Sequence, residues 1–318
     1  MPLEDDGFLS EEAQKHAAKA AAEYRQIFNY LKDVNAKAHQ FLREVQINNN
    51  DGKQVFAMAF FARALSAFQA LSILAERGFI SECRVTCRNL FEVKFRLGFL
   101  EQRSDAVPLF IAEHARFKIK RLRDMRDGNI QLGSDLEKPD WDAALARAET
   151  LLLNPDGSKR VMPSIRVVAK ESGFESNYLG YYSFLSEATH SGAGELEDYV
   201  AFNVSGEVTG FNYGPQAGFW LPWTTLLAAS VLIDCLQITD RIIGANANPI
   251  HRFLEQKKKE MMDRYYMEIM LGAKASPDPD PTEIMIAADR SNAPESSFRA
   301  SSKKDSPAPE SPRHGLNG

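Results

Sequence analysis

The stretch "ISECRVTCRNLFEVKFRLGFL", residues 80 to 100, constrains the fold more than any other part of this 318-residue chain. Cys83, Val85, Cys87, Leu90, Phe91, Val93, Phe95, Leu97 and Phe99 make a helix of this length apolar on most of its sides. A surface helix carries one apolar stripe, whereas a helix apolar nearly all round is buried among others. The chain is therefore expected to build an all-α, multi-helix bundle around this segment. That same rod carries Arg84, Arg88, Glu92 and Arg96 at steps of four, a charged stripe where charge has to be paired, solvated in a cavity or engaged by a ligand.

The flanking sequence agrees with a bundle. Residues 10 to 46 place Tyr24, Ile27, Leu31, Val34, Ala38, Phe41 and Val45 three and four apart, an amphipathic helix closed by Asn48-Asn49-Asn50-Asp51-Gly52. A helix from Lys53 to Glu76 follows and ends at Arg77-Gly78. Helical patterns return at about 105 to 127, 140 to 153, 160 to 171, 217 to 243 and 249 to 271, with turn-rich loops between them. Residues 201 to 215 alternate apolar and polar side chains around Ser205-Gly206, the pattern of a small β-hairpin. One helical domain over residues 1 to 272 is expected. Beyond Gly272 the last 46 residues hold seven of the fifteen prolines and eight serines, a composition too poor in apolar surface to offset chain entropy. That tail is expected to be disordered.

Composition narrows the function. Hydrophobic residues at 44% and charged residues at 25% are ordinary globular usage, and a net charge of −5 argues against nucleic-acid binding through bulk positive charge. Three cysteines do not make a disulfide framework, and the N-terminus has neither a basic nor an apolar signal region, so a cytoplasmic protein is expected. "FWLPWTTLLAASVLI", residues 219 to 233, is fifteen residues long before Asp234, short of the roughly 20 that cross a bilayer, and reads as a core helix.

A second polar cluster lies in "YYSFLSEATHSGAGELEDY", residues 181 to 199, where Tyr182, Ser186 and His190 fall four apart on one helical face with Tyr178 a turn before them, and Ser191-Gly192-Ala193-Gly194 follows at once. Two readings stand for each cluster. Glu92 bridges Arg88 and Arg96 in an internal network, or the stripe lines a pocket in which surplus guanidinium charge receives an anion. His190 is a hydrogen-bonded packing residue, or a general acid–base group. Glu187 and His190 form a single Glu-x-x-His where di-iron bundles use two copies and two further glutamates, so no metal is expected. Walker-type loops, dinucleotide fingerprints and a Gly-x-Ser-x-Gly elbow around Ser186 are missing, and no cofactor is expected.

Residues 62 to 100 and 181 to 200 together resemble the paired blocks of an uncharacterised bacterial family, the domain of unknown function numbered five-six-seven-seven. Its Arg-x-x-x-Glu unit corresponds to Arg88 and Glu92, and its Ser-x-x-x-His unit to Ser186 and His190. The resemblance covers about residues 20 to 245 and implies a helical fold without an assigned activity. A looser likeness is to the helical ribonucleases of the HEPN superfamily, but the arginine their motif requires before the histidine is replaced here by Ser183, Phe184 and Leu185. The resulting expectation is a binding module whose pocket, formed by Arg84, Arg88, Glu92, Tyr182, Ser186 and His190, takes a small anionic or nucleotide-like ligand or a partner segment, with self-association left open. Its rival is a metal-independent, HEPN-like ribonuclease of a toxin or phage-defence type acting on RNA through His190, Arg88 and Glu92.

Removal of residues 273 to 318 is expected to leave the melting temperature within a few degrees of the full chain, because a Pro- and Ser-rich segment contributes little burial. Calorimetry of the two forms measures this, and loss of cooperative unfolding would make the segment part of the core.

Overall fold

The computed structural model describes residues 6–127, 140–189, 196, 199–212, 214–216 and 220–271, with the backbone alone for 202 and 266–271. The turn at 191–194 and the Pro- and Ser-rich tail lie outside the described residues, as does His190.

Among the described residues the fold is all-α apart from one hairpin. Ser10 accepts a hydrogen bond from the Ala13 amide at 3.1 Å and starts α1 (Glu11–Glu23). The amphipathic stretch expected as one helix is two, because Tyr24 departs from helical geometry (φ −109°, ψ 30°) before α2 (Arg25–Glu44) resumes. The ring of Tyr24 is itself buried, so the break is bought with packing. Asp51 caps α3 (Gly52–Glu76) by accepting from the Lys53 and Gln54 amides. Gly78 then turns the chain at φ +78°, where a side chain would also run into the backbone of Gln216 at 2.8 Å. No residue with a Cβ fits there without displacing that neighbour.

The apolar rod is α4 (Ile80–Gln102), and it occupies the centre. It packs chiefly against α3 and α9 (Trp220–Ile243), then against α7 (Ile165–Glu171) and α8 (175–189). Phe91, Phe95 and Phe99 are at most 1% exposed, and Phe61, Phe68 and Leu71 of α3 meet them in one continuous core. By length and composition α3 is apolar enough to cross a membrane, and its buried residues, Phe61, Phe68 and Leu71 among them, join this core. Residues 220 to 233 form the first half of α9, with Pro222 in its first turn, where a missing amide costs least. Inside α9, Thr225 and Thr239 turn their hydroxyls back onto the Leu221 and Cys235 carbonyls, which satisfies them without a partner helix.

The periphery is simpler. α5 (Ala106–Arg126) and α6 (Trp141–Thr150) form a small satellite core of Ile119, Leu145 and Ala148, with Asp140 capping α6 at the Ala143 amide. The hairpin is β1 (Val200–Phe202) antiparallel to β2 (Val208–Phe211), with a register irregularity between Ala201 and Phe202 and Gly206 at φ +79° in the turn. The last described helix is α10 (Asn248–Leu271).

Gly98 marks the closest approach of the core. A Cβ there would stand 2.7 Å from both Ser172 Cβ and the Phe174 ring, at the junction of α7 and α8. Gly98→Ala is expected to cost about 1–3 kcal/mol by overpacking, read as a lower urea midpoint at unchanged slope. The three cysteines are free and buried, and burial pushes each thiol above its ordinary value of 9.0. A raised thiol value holds the proton on the folded state while the unfolded state loses it first. Stability from this source is present below pH 9 and declines as pH rises above it. Native protein is accordingly expected to resist a thiol reagent at pH 8 until it is unfolded by denaturant.

Candidate functional site

The charged stripe of α4 does not act as one unit. Arg84, only 4% exposed, lays its guanidinium over the Trp220 ring of α9 at 4.9 Å and reaches Ser81 Oγ at 3.5 Å. Arg96 turns the other way and makes a bidentate pair with Glu113 of α5 at 2.6 and 2.9 Å. That pair, with burial opposing it, raises the Arg96 guanidinium further above its usual range. The expected bridge from Glu92 to Arg96 is therefore replaced. A carboxylate on α5 offers both oxygens to the planar fork, a geometry that an i,i+4 partner on the same helix does not provide.

Arg88 and Glu92 remain together, and α8 completes their surroundings. This segment opens with Glu175–Asn177, passes through a π-helical stretch Tyr178–Tyr182 and ends in Ser183–Thr189. The wide turn is explicit in the Ser183 amide, which donates to the Tyr178 carbonyl five residues back, and the Ser183 hydroxyl donates to the same oxygen at 2.9 Å. Arg88 Nη1 pairs with Glu92 Oε1 at 2.9 Å, and Arg88 Nε donates to Ser186 Oγ at 3.0 Å. Its Cζ lies 4.7 Å from the centre of the Tyr182 ring. Tyr182 Oη donates to Glu92 Oε1 at 2.8 Å, and Ser186 Oγ donates to the Tyr182 carbonyl at 2.8 Å. Every contact is thus held by a second one.

The electrostatics fix the roles. Burial, then the hydrogen bond to Glu92, push the Tyr182 phenol well above its usual range while Arg88 opposes them, so Tyr182 is a permanent donor near neutral pH. Its ring stacks on Tyr178 at 5.1 Å and leans on Phe95 at 5.7 Å, which anchors the platform beneath the guanidinium. Arg88 Nη2 makes no hydrogen bond or ion pair with any described residue. Of the residues singled out in the sequence, Arg88, Glu92, Tyr182 and Ser186 meet, Arg84 engages Ser81 and Trp220 outside this cluster, and His190 lies outside the described residues. Among the described residues no group of three His, Cys, Asp or Glu side chains is arranged to hold a metal.

One polar group escaped the sequence pattern. Lys94, 4% exposed on α4, donates to Asn177 Oδ1 at 2.8 Å and Asp234 Oδ2 at 2.7 Å, and lies 4.4 Å from the Phe174 ring. Its neighbours three and four residues away on α4 are Leu90, Phe91, Leu97 and Gly98, so no acid lies at pairing distance along its own helix. A lysine so placed in a buried helix has to find its counter-charge at long range, and that was the available signal.

Arg88→Ala removes the Glu92 pair, the Ser186 hydrogen bond and the stacking on Tyr182 together. Glu92 keeps 32% exposure, so water takes over part of the lost pairing, and the expected cost is about 1–3 kcal/mol rather than the 3–5 of a fully buried pair. Arg116→Ala, which loses a hydrogen bond to the Arg160 carbonyl, is expected to cost less. Denaturant melts of the two variants make the comparison, and equal small losses would count against a structured Arg88 cluster.

Comparison with curated proteins and comparison with solved structures each give no match, and the likeness to HEPN ribonucleases finds no support in them. A family model does match, from within α3 to the start of β2, and so takes in both the Arg88–Glu92 and Ser186–His190 units while leaving out Asp234. The match is narrower than the 20 to 245 expected from the sequence blocks. Over residues 54–208 the chain matches the model of DUF5677, a family of unknown function.

Proposed function

We propose that the chain is a binding module whose Arg88 cluster receives a small anionic or nucleotide-like ligand. One observation carries this reading. Arg88 is fixed through Nε, Nη1 and its π-face at 17% exposure, while Nη2 makes no hydrogen bond or ion pair with any described residue. A guanidinium immobilised in advance loses little side-chain entropy when a ligand arrives, and its free edge is a donor pair suited to phosphate or carboxylate oxygens. Glu92 positions Arg88 rather than touching the ligand. Tyr182 and Ser186 frame the edge, and Arg84 adds positive charge one turn away on α4.

A second reading, a metal-independent ribonuclease, is favoured by the Arg88–Ser186 bond, since Ser186 stands four residues before His190 in the sequence. There His190 takes the proton of a 2′-hydroxyl, Arg88 stabilises charge on the phosphorus centre, and Glu92 holds Arg88.

Pyrophosphate titrated into the protein by calorimetry is expected to bind, to weaken at least tenfold in Arg88→Gln, and to weaken with salt. Absence of saturable binding by the wild type at millimolar pyrophosphate, or equal binding by Arg88→Gln, would remove the anion-binding reading. End-labelled RNA in excess chelator addresses the second. Cleavage that disappears in a folded His190→Gln variant supports the nuclease, because Gln keeps the bulk and hydrogen bonding of histidine but exchanges no proton near neutral pH. Intact RNA, or cleavage by the variant at the wild-type rate, returns His190 to a packing role.

A further inference from the structure

The cavity beside Lys94 has no part in the Arg88 cluster. It encloses about 420 Å³ between α4, α8, α9 and α10, a size ordinary for small-molecule sites. Its walls include Phe91, Tyr181 and Trp223. Tyr181 lies 6.0 Å from the Phe91 ring and 6.3 Å from the Trp223 ring, and is 42% exposed although large and aromatic. Lys94, Asn177, Ser230, Asp234 and Lys258 supply the polar part of the lining, and the Lys258 ammonium is paired with Glu255 at 3.4 Å.

Lys94 determines what those polar groups offer. An ammonium only donates, so its bond to Asn177 fixes the amide with Oδ1 toward Lys94 and leaves Nδ2 as a donor. The same ammonium takes one oxygen of Asp234 and leaves Oδ1 as an acceptor. Neither Asn177 Nδ2 nor Asp234 Oδ1 is engaged by any described residue. Because both side chains meet on one nitrogen, a donor and an acceptor lie in one neighbourhood, and the Lys94–Asp234 pair carries no net charge. A half-buried donor–acceptor set, with the Asp234 side chain 27% exposed, discriminates for a ligand that satisfies both groups, since an unmatched ligand displaces their water and leaves them unpaired.

We propose that this cavity is a second binding site, for a neutral planar heterocycle with an N–H donor beside a ring-nitrogen or carbonyl acceptor, the edge of a nucleobase. The ligand stacks on Tyr181 with its edge toward the Trp223 ring, which is inclined at 54° to Tyr181, donates to Asp234 Oδ1 and accepts from Asn177 Nδ2. Lys94 is a positioning residue that touches the ligand only through these two.

Adenine is the probe, titrated by calorimetry and by ligand-observed NMR, with indole as a bicycle of similar size that lacks the ring acceptor. Wild-type protein is expected to bind adenine saturably and indole at least tenfold more weakly. Asn177→Leu removes the donor without changing charge and is expected to weaken adenine at least tenfold. Ser230→Phe fills the cavity from its half-buried wall and is expected to abolish binding, which keeps the test decisive if Asn177→Leu does not fold. Arg88→Gln is expected to leave adenine affinity unchanged while weakening pyrophosphate, so failure here and failure of the anion-binding reading are separable. No saturable binding of adenine to wild type, equal affinity for indole, wild-type affinity in folded Ser230→Phe, or loss of adenine binding in Arg88→Gln would each overturn the proposal.

Discussion

The ammonium of Lys94 is the contact on which the arrangement of this bundle turns. It sits on the central helix, and its two hydrogen-bonding partners lie 83 and 140 residues further along the chain. A buried charge without a partner costs several kcal/mol, so any packing of α8 or α9 that removes Asn177 or Asp234 from α4 is penalised in a way that a sliding apolar contact is not. Hydrophobic burial holds the helices together but is tolerant of rotation. The Lys94 triad selects one rotation, and with it the face of α8 that meets Arg88.

The remaining charges of α4 are satisfied from different directions. Arg96 ties the helix to α5 through Glu113, Glu101 near its end ties it to Arg241 of α9, and Arg103 just beyond joins Asp105 and Glu171. The last two pairs are substantially exposed and contribute little stability each. The half-buried Arg88–Glu92 pair differs because its two members share Tyr182, whose ring lies against one and whose hydroxyl bonds the other. Loosening any one member changes the surroundings of the other two.

Most of the helical architecture was legible in the sequence because apolar period and caps act locally. The burial of α4, the hairpin about Ser205-Gly206 and the meeting of Arg88 and Glu92 all follow from spacing. Arg88 and Ser186 were linked only by the resemblance of two blocks, which the fold brings together through a 3.0 Å bond. The break at Tyr24 was hidden because the apolar rhythm runs straight through it, and a buried ring outweighed helical continuity. Neither reading of the stripe, the Glu92 bridge or the anion pocket, points to Arg96's partner, because the better-shaped acceptor, Glu113, lies on the next helix. Lys94 signals only that its counter-charge lies at long range, and nothing in the local pattern of Asp234 names it as the partner across 140 residues.

The wide turn at Tyr178–Tyr182 has a consequence for how this chain tolerates length changes. It lies between Asn177, which answers Lys94, and Ser186, which answers Arg88, so it sets the angular phase between two contacts made to one helix. An α-helix advances about 100° per residue. Loss of a single residue from the wide turn would restore ordinary winding and swing Ser186 by about that angle while Asn177 stayed in place. The segment is therefore geared to a fixed count of residues, and in this helix, unlike in a surface loop, a one-residue deletion is a larger change than most substitutions.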